Sequence, residues 1–399
     1  MTSLSGIYGL RLLAAPGVRR AIVVTVLLVV LGFRFIQLIG FSGQVQWGYD
    51  FSAYWSAAGR LLDGLPLYDP EQLAGSYSPQ EQFRYLYPPF LAVVVTPLAA
   101  AFPTDYRLAN LVWAVLGAAI AAAVVLAVAR RESIGSRRDT VLFVMAAFAF
   151  PPLVGELVMG NVHLVLLGLL GGAWIALRDR RPAASAVAGC LIGAAALIKL
   201  FPALLILWLL LRGRFAAAAW ALVAIAILAA ATLPITGLGP WFDYPTVILN
   251  LGPPVDTRDT LAPIVWLSAV VPADAARVVV AAAGVALVVC AARRADEPIG
   301  FAIAATASVL VAPALYHHYL AILVLPLLLA LRWAPPWGWV AVAYIAMFGG
   351  EQAALGEASW VVNRLLPTLG ALLLLGGLAV RAWRTSRHPP VPADPAAAA

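Results

Sequence analysis

A few ionisable side chains interrupt the long apolar stretches of this sequence, and their types could carry group-transfer chemistry. In chain order they are Asp50, Glu156, His163, Lys199, His317 and His318. A carboxylate near a membrane surface can accept a proton from a hydroxyl, and an ammonium can hold a phosphate as a point charge. Inside a bilayer such groups are costly unless they face a cavity, a partner or the interface. These positions therefore predict the lining of a site.

The composition indicates what kind of scaffold must hold these residues. Of 399 residues, 63% are hydrophobic and 11% are charged, with a mean hydropathy of +0.92. Soluble domains carry about 25% charged residues, so a soluble fold is excluded. We expect an all-α, polytopic membrane bundle that forms a single domain over residues 1–388. About twelve spans are predicted, at 21–39, 106–129, 140–158, 161–177, 183–198, 201–212, 215–235, 274–292, 298–313, 316–331, 337–355 and 360–380.

Arginines in short connectors set the predicted orientation. Arg130, Arg178, Arg212, Arg293 and Arg332 all fall on one side together with both termini, which the positive-inside rule makes the cytoplasm. The predicted location is an inner (plasma) membrane of bacterial type, with a retained first helix and no nucleic-acid partner.

Residues 88–102 are short for a span and contain Pro97, so we expect a dipping segment. A short true span is the alternative.

Two long loops, 40–88 and 236–262, are predicted on the outer side, where long structured loops usually carry function. In the first loop, Phe51, Tyr54 and Ala58 recur at helical spacing within residues 51–62 and leave Ser52 on another face. This pattern predicts a helix that lies in the membrane interface. The tail 389–399 is rich in Pro and Ala and is predicted to be disordered.

Each candidate residue has a structural alternative. Asp50 could act as a general base or cap the helix that follows it. Lys199, the only lysine of the chain, could bind a phosphate or extend to the lipid headgroups. Asn161 and His163, in the turn that begins at Gly160, could bind a sugar or phosphate or cap the next helix.

Two histidines stand together in the sequence Tyr316-His317-His318-Tyr319. Adjacent residues on a helix point about 100° apart, so we expect one of His317 and His318 to contact substrate and the other to pack. A metal site is not expected because the sequence near the pair shows no third ligand. No cofactor is predicted.

The motif around Asp50 supports a family resemblance. The motif is Tyr49-Asp50-Phe51-x-x-Tyr54-x-x-Ala57-Ala58-x-x-Leu61-x-x-Gly64-x-Pro66-Leu67-Tyr68-Asp69. With Phe83-x-Tyr85-x-Tyr87-Pro88-Pro89, Gly160-Asn161-x-His163 and Lys199-x-x-Pro202, it resembles glycosyltransferase family 87, over about residues 45–215. This is a family of polyprenyl-phosphate-mannose-dependent alpha-mannosyltransferases of the C-type superfamily. The usual turn of the family is Gly-Gln-x-Asn, from which Asn161 and His163 depart.

The resemblance implies an inverting displacement in which Asp50 is the base and the donor carries a mannosyl unit on a polyprenyl phosphate. Another hexosyl unit or a pentosyl unit such as arabinose is the alternative. The acceptor is a lipid or glycan hydroxyl, and the membrane lipids are further partners. Lys199, His317 or His318, Asn161, His163 and Tyr54 are the candidates for binding the donor phosphate or sugar. The sequence also lacks the Asp-x-Asp and glycine-rich motifs of enzymes that use nucleotide sugars.

Two other function classes stay open at this point. A secondary transporter or flippase also needs a dozen spans, although transporters usually place ionisable groups at the bilayer midplane. A non-catalytic assembly subunit with the same fold is the third possibility. A position of Asp50 and Lys199 near an outer cavity would favour the enzyme.

Overall fold

Helices make up most of the described part of the chain. The computed structural model describes residues 16–78, 81–252, 260–349 and 361–387; the predicted tail 389–399 lies outside them. The first helices are α1 (Pro16–Phe41), α2 (Tyr49–Leu62), α3 (Pro70–Ala74), α4 (Pro89–Ala101), α5 (Tyr106–Arg131), α6 (Arg137–Ala149), α7 (Pro151–Met159), α8 (His163–Leu177) and α9 (Pro182–Ile198).

The second half of the chain continues in the same way. Its helices are α10 (Ala203–Leu211), α11 (Phe215–Thr236), α12 (Gly239–Leu249), α13 (Pro263–Leu267), α14 (Ala273–Arg294), α15 (Glu297–Leu310), a 3₁₀ helix (His317–Leu323), α16 (Val324–Trp333), α17 (Gly338–Ala346), a π-helical turn (Val361–Leu365) and α18 (Leu366–Arg387). The described residues contain two isolated β-bridges and no strand. The predicted all-α, polytopic membrane class is confirmed.

Five helices of the described residues are long and apolar enough to cross a membrane: α1, α5, α11, α14 and the last helix with its π-turn. The bent pair α6–α7 makes a sixth if it counts as one span. Several other predicted spans are shorter apolar helices, such as α8 with 15 residues, α9 with 17 and α15 with 14. The number twelve therefore stays a prediction.

The predicted span 140–158 is broken in the middle. Helices α6 and α7 meet at Phe150 with a bend of 58°. Pro151 and Pro152 open α7, and a residue before proline avoids the helical conformation, so Phe150 adopts an extended backbone with ψ 115°. The break lets α7 end inside the bundle at Gly160, whose φ of +69° is left-handed. Glu156 reaches the interior from this short helix.

Small residues bring α9 and α11 into close contact. Cβ atoms added at Gly189 and Gly193 would lie 2.2 and 2.3 Å from the backbone oxygens of Ala217 and Ala221. The two glycines are four residues apart, as in the small-xxx-small pattern of membrane helix pairs. This contact fixes α9, which carries Lys199 at its C-terminal end.

Helix α2 packs against α4 and α5, inside the protein. Phe51, Tyr54 and Ala58 are buried as the pattern predicts, but Ser52, which was expected on another face, is buried as well. The Ser52 hydroxyl donates to the carbonyl of Tyr49 at 2.6 Å, which satisfies it without water. The position of α2 relative to a membrane interface stays a prediction.

The two long loops contact each other. The backbone N–H of Tyr77 donates to the Asn250 carbonyl at 3.1 Å, and that of Gly252 donates to the Tyr77 carbonyl at 3.0 Å. The Tyr77 hydroxyl reaches the Val247 carbonyl at 2.9 Å, and the Asn250 amide donates to the Gln72 carbonyl at the same distance. The loops therefore form one packed layer.

A buried carboxylate joins the connectors that carry arginines. The two carboxylate oxygens of Glu132 accept hydrogen bonds from the indole N–H groups of Trp174 at 3.0 Å and Trp333 at 2.7 Å. Arg178 Nε lies 3.5 Å from the same carboxylate, and Arg332 donates to the Glu132 carbonyl at 3.1 Å. We call these five residues the Glu132 cluster; it ties α5, α8 and α16 together at one end of the bundle.

Candidate active site

Asp50 is held by residues from two distant parts of the chain. Helix α2 starts at Tyr49, after Gly48, whose φ of +70° turns the chain and whose N–H donates to the Val158 carbonyl at 2.7 Å. Asp50 Oδ2 accepts from Asn161 Nδ2 at 2.7 Å, and its side chain is 23% exposed. The N-cap position belongs to Gly48, so the alternative that Asp50 caps this helix is wrong.

Asn161 is fixed so that its amide nitrogen faces Asp50. Its Oδ1 accepts from the Tyr54 hydroxyl at 2.9 Å and from the Val162 N–H at 2.7 Å. Because an amide oxygen accepts and the nitrogen donates, these contacts determine the orientation of the group. Trp113 Nε1–H donates to the Asn161 carbonyl at 3.0 Å.

Tyr54 keeps its proton in this network. Its side chain is fully buried, and burial raises the pKa of Tyr54 well above the usual value for tyrosine, with Tyr87 and the Asp50 charge adding to the effect. The hydroxyl is therefore a lasting donor to Asn161. Both residues are buried behind Asp50, and their role in binding the donor stays a prediction.

Lys199 is held by an imidazole, which is itself held by a carboxylate. Glu156 Oε1 accepts the backbone N–H of His163 at 2.5 Å, and Glu156 Oε2 lies 3.0 Å from His163 Nδ1. On the other side of the ring, His163 Nε2 lies 3.0 Å from Lys199 Nζ. The ammonium also lies 3.8 Å from the ring centroid of Tyr319 and 5.3 Å from that of Tyr87. The lysine points inward, contrary to the alternative that it extends to the headgroups.

The two adjacent histidines diverge. They begin the 3₁₀ helix His317–Leu323, in which successive residues point about 120° apart. His318 Nε2 lies 3.1 Å from Asp50 Oδ2, an ion-pair distance without the alignment of a hydrogen bond. His317 Nε2–H donates to the Met347 carbonyl at 2.9 Å instead. Of the pair, the structure brings His318 to Asp50, and its ring centroid lies 6.0 Å from that of His163.

The fold brings together three potential metal ligands that are far apart in the sequence. Glu156 and His163, more than a hundred residues before His318, place a potential ligand atom each within 4.8 Å of one another and of His318. The sequence did not show this because the ligands come from α7, α8 and the 3₁₀ helix. A carboxylate and two imidazoles are ligand types that Zn²⁺ accepts. However, His163 Nε2 already faces the lysine ammonium, and both oxygens of Glu156 face His163.

Sequence reasoning missed three neighbours of the site: Trp113, Asn110 and Tyr319. Asn110 is fully buried on α5 and packs against Gly48 and Gly160, where a Cβ on Gly160 would lie 2.0 Å from Asn110 Oδ1. A polar residue in an otherwise apolar helix was the available signal. Tyr319 could have been suspected from the aromatic residues on both sides of the histidine pair.

The arrangement can deprotonate a hydroxyl and hold an anion. Asp50 is the partly exposed carboxylate, and the ammonium of Lys199 belongs to the same cluster through His163 and His318. The Trp113 position on α5 is 19 residues from Glu132, or about 28 Å along the helix axis. The site and the Glu132 cluster therefore lie at opposite ends of the bundle.

Comparison with known families gives one result that bears on function. The family model of glycosyltransferase family 87 matches residues 85–313, which is more than half of the chain and includes Glu156, Asn161, His163 and Lys199. Comparison with curated proteins gives no match. Because the matched family is one of glycosyltransferases, the match indicates an enzyme rather than a transporter. The chain therefore belongs to glycosyltransferase family 87 and is a membrane glycosyltransferase.

Proposed function

We propose that this glycosyltransferase moves a mannosyl unit from a polyprenyl phosphate to a hydroxyl of a lipid or glycan acceptor. The observation that supports the proposal is the clustering of one partly exposed carboxylate and the only lysine of the chain at one end of a membrane bundle. A base and an anion-binding cation are the two groups that such a transfer needs. A donor dissolved in the membrane also fits a chain without a nucleotide-sugar motif.

The reaction proposed is a single displacement. The acceptor oxygen attacks the anomeric carbon while its proton passes to the Asp50 carboxylate. The bond from the anomeric carbon to the phosphate oxygen breaks, and the polyprenyl phosphate leaves with the electron pair. Attack from the opposite face inverts the configuration. Asn161 holds Asp50 in position through the 2.7 Å hydrogen bond.

The cations of the site stabilise the charge that the phosphate gains. The Lys199 ammonium is the first candidate, and His318, 3.1 Å from Asp50, is the second. A lysine serves a phosphate as a point charge and needs no bidentate geometry. After the transfer, Asp50 returns its proton to water through its exposed side.

The proposed membrane side is extracytoplasmic, in an inner (plasma) membrane. Glu132, which contacts Arg178 and Arg332, lies about 28 Å along α5 from Trp113 at the site, close to the full thickness of a hydrocarbon core. Since arginine-rich connectors are kept on the cytoplasmic side, the site would open on the other side. A donor flipped across the membrane would meet it there.

The test is transfer in proteoliposomes with defined donors. We expect the purified protein to use synthetic polyprenyl-phosphomannose with an added lipid extract as acceptor, and not to use the matching nucleotide sugar. Mass spectrometry would identify the product, and NMR of the anomeric carbon and proton would give its configuration. Use of the nucleotide sugar as direct donor, or retention of configuration, would contradict the proposal.

Asp50→Asn tests the base. We expect a fall in kcat of about 10²- to 10⁴-fold, the range for a positioned general base. Asp63→Asn is the matched control because it makes the same chemical change at the exposed end of the same helix, and it should leave kcat within about twofold. Equal rates for Asp50→Asn and wild type would exclude Asp50 as the base.

A further inference from the structure

We infer that Glu156 and His163 are positioning residues that hold the Lys199 ammonium through a relay of carboxylate, imidazole and ammonium. We call these three residues the Lys199 relay. It depends on the proposed function only for the statement that the ammonium meets the donor phosphate. Neither Glu156 nor His163 contacts substrate in this proposal.

The hydrogen bonds determine which ring nitrogen of His163 carries the proton. An ionised carboxylate only accepts, so Glu156 Oε2, at 3.0 Å, places the proton on Nδ1. In a neutral ring, Nε2 then has a free lone pair, and this atom lies 3.0 Å from Lys199 Nζ, which donates to it. Glu156 is itself locked by the His163 backbone N–H at 2.5 Å.

Burial makes this relay rigid. His163 is 0% and Glu156 1% exposed, so water does not compete for their hydrogen bonds. The flexible four-carbon stem of a lysine would otherwise let its ammonium adopt many positions. The imidazole holds the ammonium from one side and the Tyr319 ring from another, with Nζ 3.8 Å from its centroid. The relay therefore sets where the positive charge stands.

The same atoms could instead bind a divalent metal ion together with His318. The two possibilities exclude each other, since a neutral His163 ring with its proton on Nδ1 has one free lone pair, which cannot both accept from Lys199 and coordinate a metal. The 3.0 Å contact with Nζ favours the relay. Metal binding is therefore an outcome that the test must be able to detect.

The first experiment needs no substrate, so it stands even if the donor class is wrong. The chain has four histidines, and ¹⁵N-histidine labelling of the protein in lipid bilayers allows each tautomer to be read by solid-state NMR. His163→Gln identifies the signals of His163 by their loss. We expect Nδ1 protonated and Nε2 unprotonated, with a shift of the Nε2 signal in Lys199→Met.

Two results would overturn the inference. One is a protonated Nε2 on His163 in the wild type. The other is one equivalent of tightly bound metal whose removal by a chelator changes the His163 signals, because the metal would then hold the lone pair assigned to Lys199. Elemental analysis of the same sample separates these two results.

The second experiment is a double-mutant cycle in the transfer assay. We expect Lys199→Met to lower kcat about 10²- to 10³-fold, as loss of one charge-stabilising group does, and His163→Leu to lower it about 10- to 100-fold. Since His163 acts through Lys199, the double variant should be no slower than Lys199→Met alone. His163→Gln, which keeps an acceptor, should recover part of the rate. Multiplying effects in the double variant would contradict the relay.

Discussion

Two buried glutamates, one at each end of the bundle, illustrate how the partners of a carboxylate decide what it does. Glu132 faces two indole N–H groups and a guanidinium, which stay donors at every physiological pH. Glu156 faces an imidazole that in turn faces an ammonium. Imidazole and ammonium can each lose a proton, so the second arrangement is suited to chemistry and the first to holding helices together.

The residues around the two glutamates also differ, and the difference again separates a structural role from a chemical one. Glu132 joins connectors from α5, α8 and α16, and Arg178 also lies over the rings of Trp174 and Trp333. The partly exposed side chain of Arg178 in the Glu132 cluster is a donor and cannot accept a proton. Asp50, beside the Lys199 relay, is a carboxylate that can accept one, and its side chain is 23% exposed. The comparison predicts that changes in the Glu132 cluster reduce stability, and that conservative changes in the Lys199 relay reduce turnover.

The largest effect on stability is expected for Glu132→Gln. The amide nitrogen would place a donor against an indole N–H, and Arg178, whose side chain is 33% exposed, would lose its counter-charge. Removing one partner of a buried ionic cluster costs about 3–5 kcal/mol in the free energy of unfolding. Denaturation in mixed micelles measures it, and kcat of the folded fraction should be unchanged.

Glu71→Gln is the control for this change. Glu71 is also paired with an arginine, Arg84, but its side chain is 79% exposed, so we expect less than about 1 kcal/mol. A fall in kcat with unchanged stability for Glu132→Gln would break the comparison, because it would give the Glu132 cluster a role in turnover.

A smaller loss of stability, with a loss of activity, is expected for Gly160→Ala. Gly160 has φ +69°, and an added Cβ would lie 2.0 Å from Asn110 Oδ1 and 2.7 Å from Phe51 Cβ. The left-handed backbone alone costs an alanine about 1–2 kcal/mol, and relief of the contacts would move the turn that holds Asn161. Unfolding and kcat should both fall.

Gly59→Ala is the matched control at the same end of the bundle. Gly59 lies within α2, where an added Cβ meets nothing within 4 Å, so alanine should stabilise the helix by about 0.5–1 kcal/mol. Asn110→Ala should restore part of the stability of Gly160→Ala. If Gly160→Ala behaved like Gly59→Ala, the turn would not set the position of Asn161.

The difference between these regions also shows what the sequence could predict. Composition and the recurrence of long apolar stretches were enough to predict the all-α membrane class, because stretches of this length are stable in the hydrocarbon core of a membrane. The polar site residues stand at the ends of predicted spans, and the predicted topology puts these ends on the same side. This was enough to expect the residues near one end of the bundle. They are Asp50, Asn161, His163, Lys199 and His318. These predictions depend on the average hydropathy of a segment and on where each apolar segment ends. Both can be read from neighbouring residues in the sequence.

The partners within the site could not be predicted. His163 and Lys199 are 36 residues apart, and their contact depends on how α8 and α9 pack. Pro151 and Pro152 mark the break at Phe150 in the sequence, but hydropathy predicts one span across it. The direction of His317 and His318 was open because it depends on a 3₁₀ helix, which has no reliable local signal.

A moderate loss of stability is expected for Trp333→Phe. This variant tests how much one indole donor contributes to the Glu132 cluster. The change removes the indole N–H that donates to Glu132 Oε2 at 2.7 Å and keeps most of the ring. A buried acceptor left without its donor costs about 1–3 kcal/mol. We expect a lower free energy of unfolding and a normal kcat. A loss below about 0.5 kcal/mol would mean that another donor or water replaces the indole.

The smallest effect is expected for Arg214→Gln. Arg214 pairs with Glu297 at 2.6 Å, but its side chain is 41% exposed, so water screens the pair. Exposed ion pairs contribute about 0–1 kcal/mol, and added salt weakens them further. Unfolding at low and high salt should show a small difference from wild type that vanishes in high salt. A loss as large as that of Glu132→Gln would show that pairing of charges, rather than burial of the carboxylate among permanent donors, stabilises this end of the bundle.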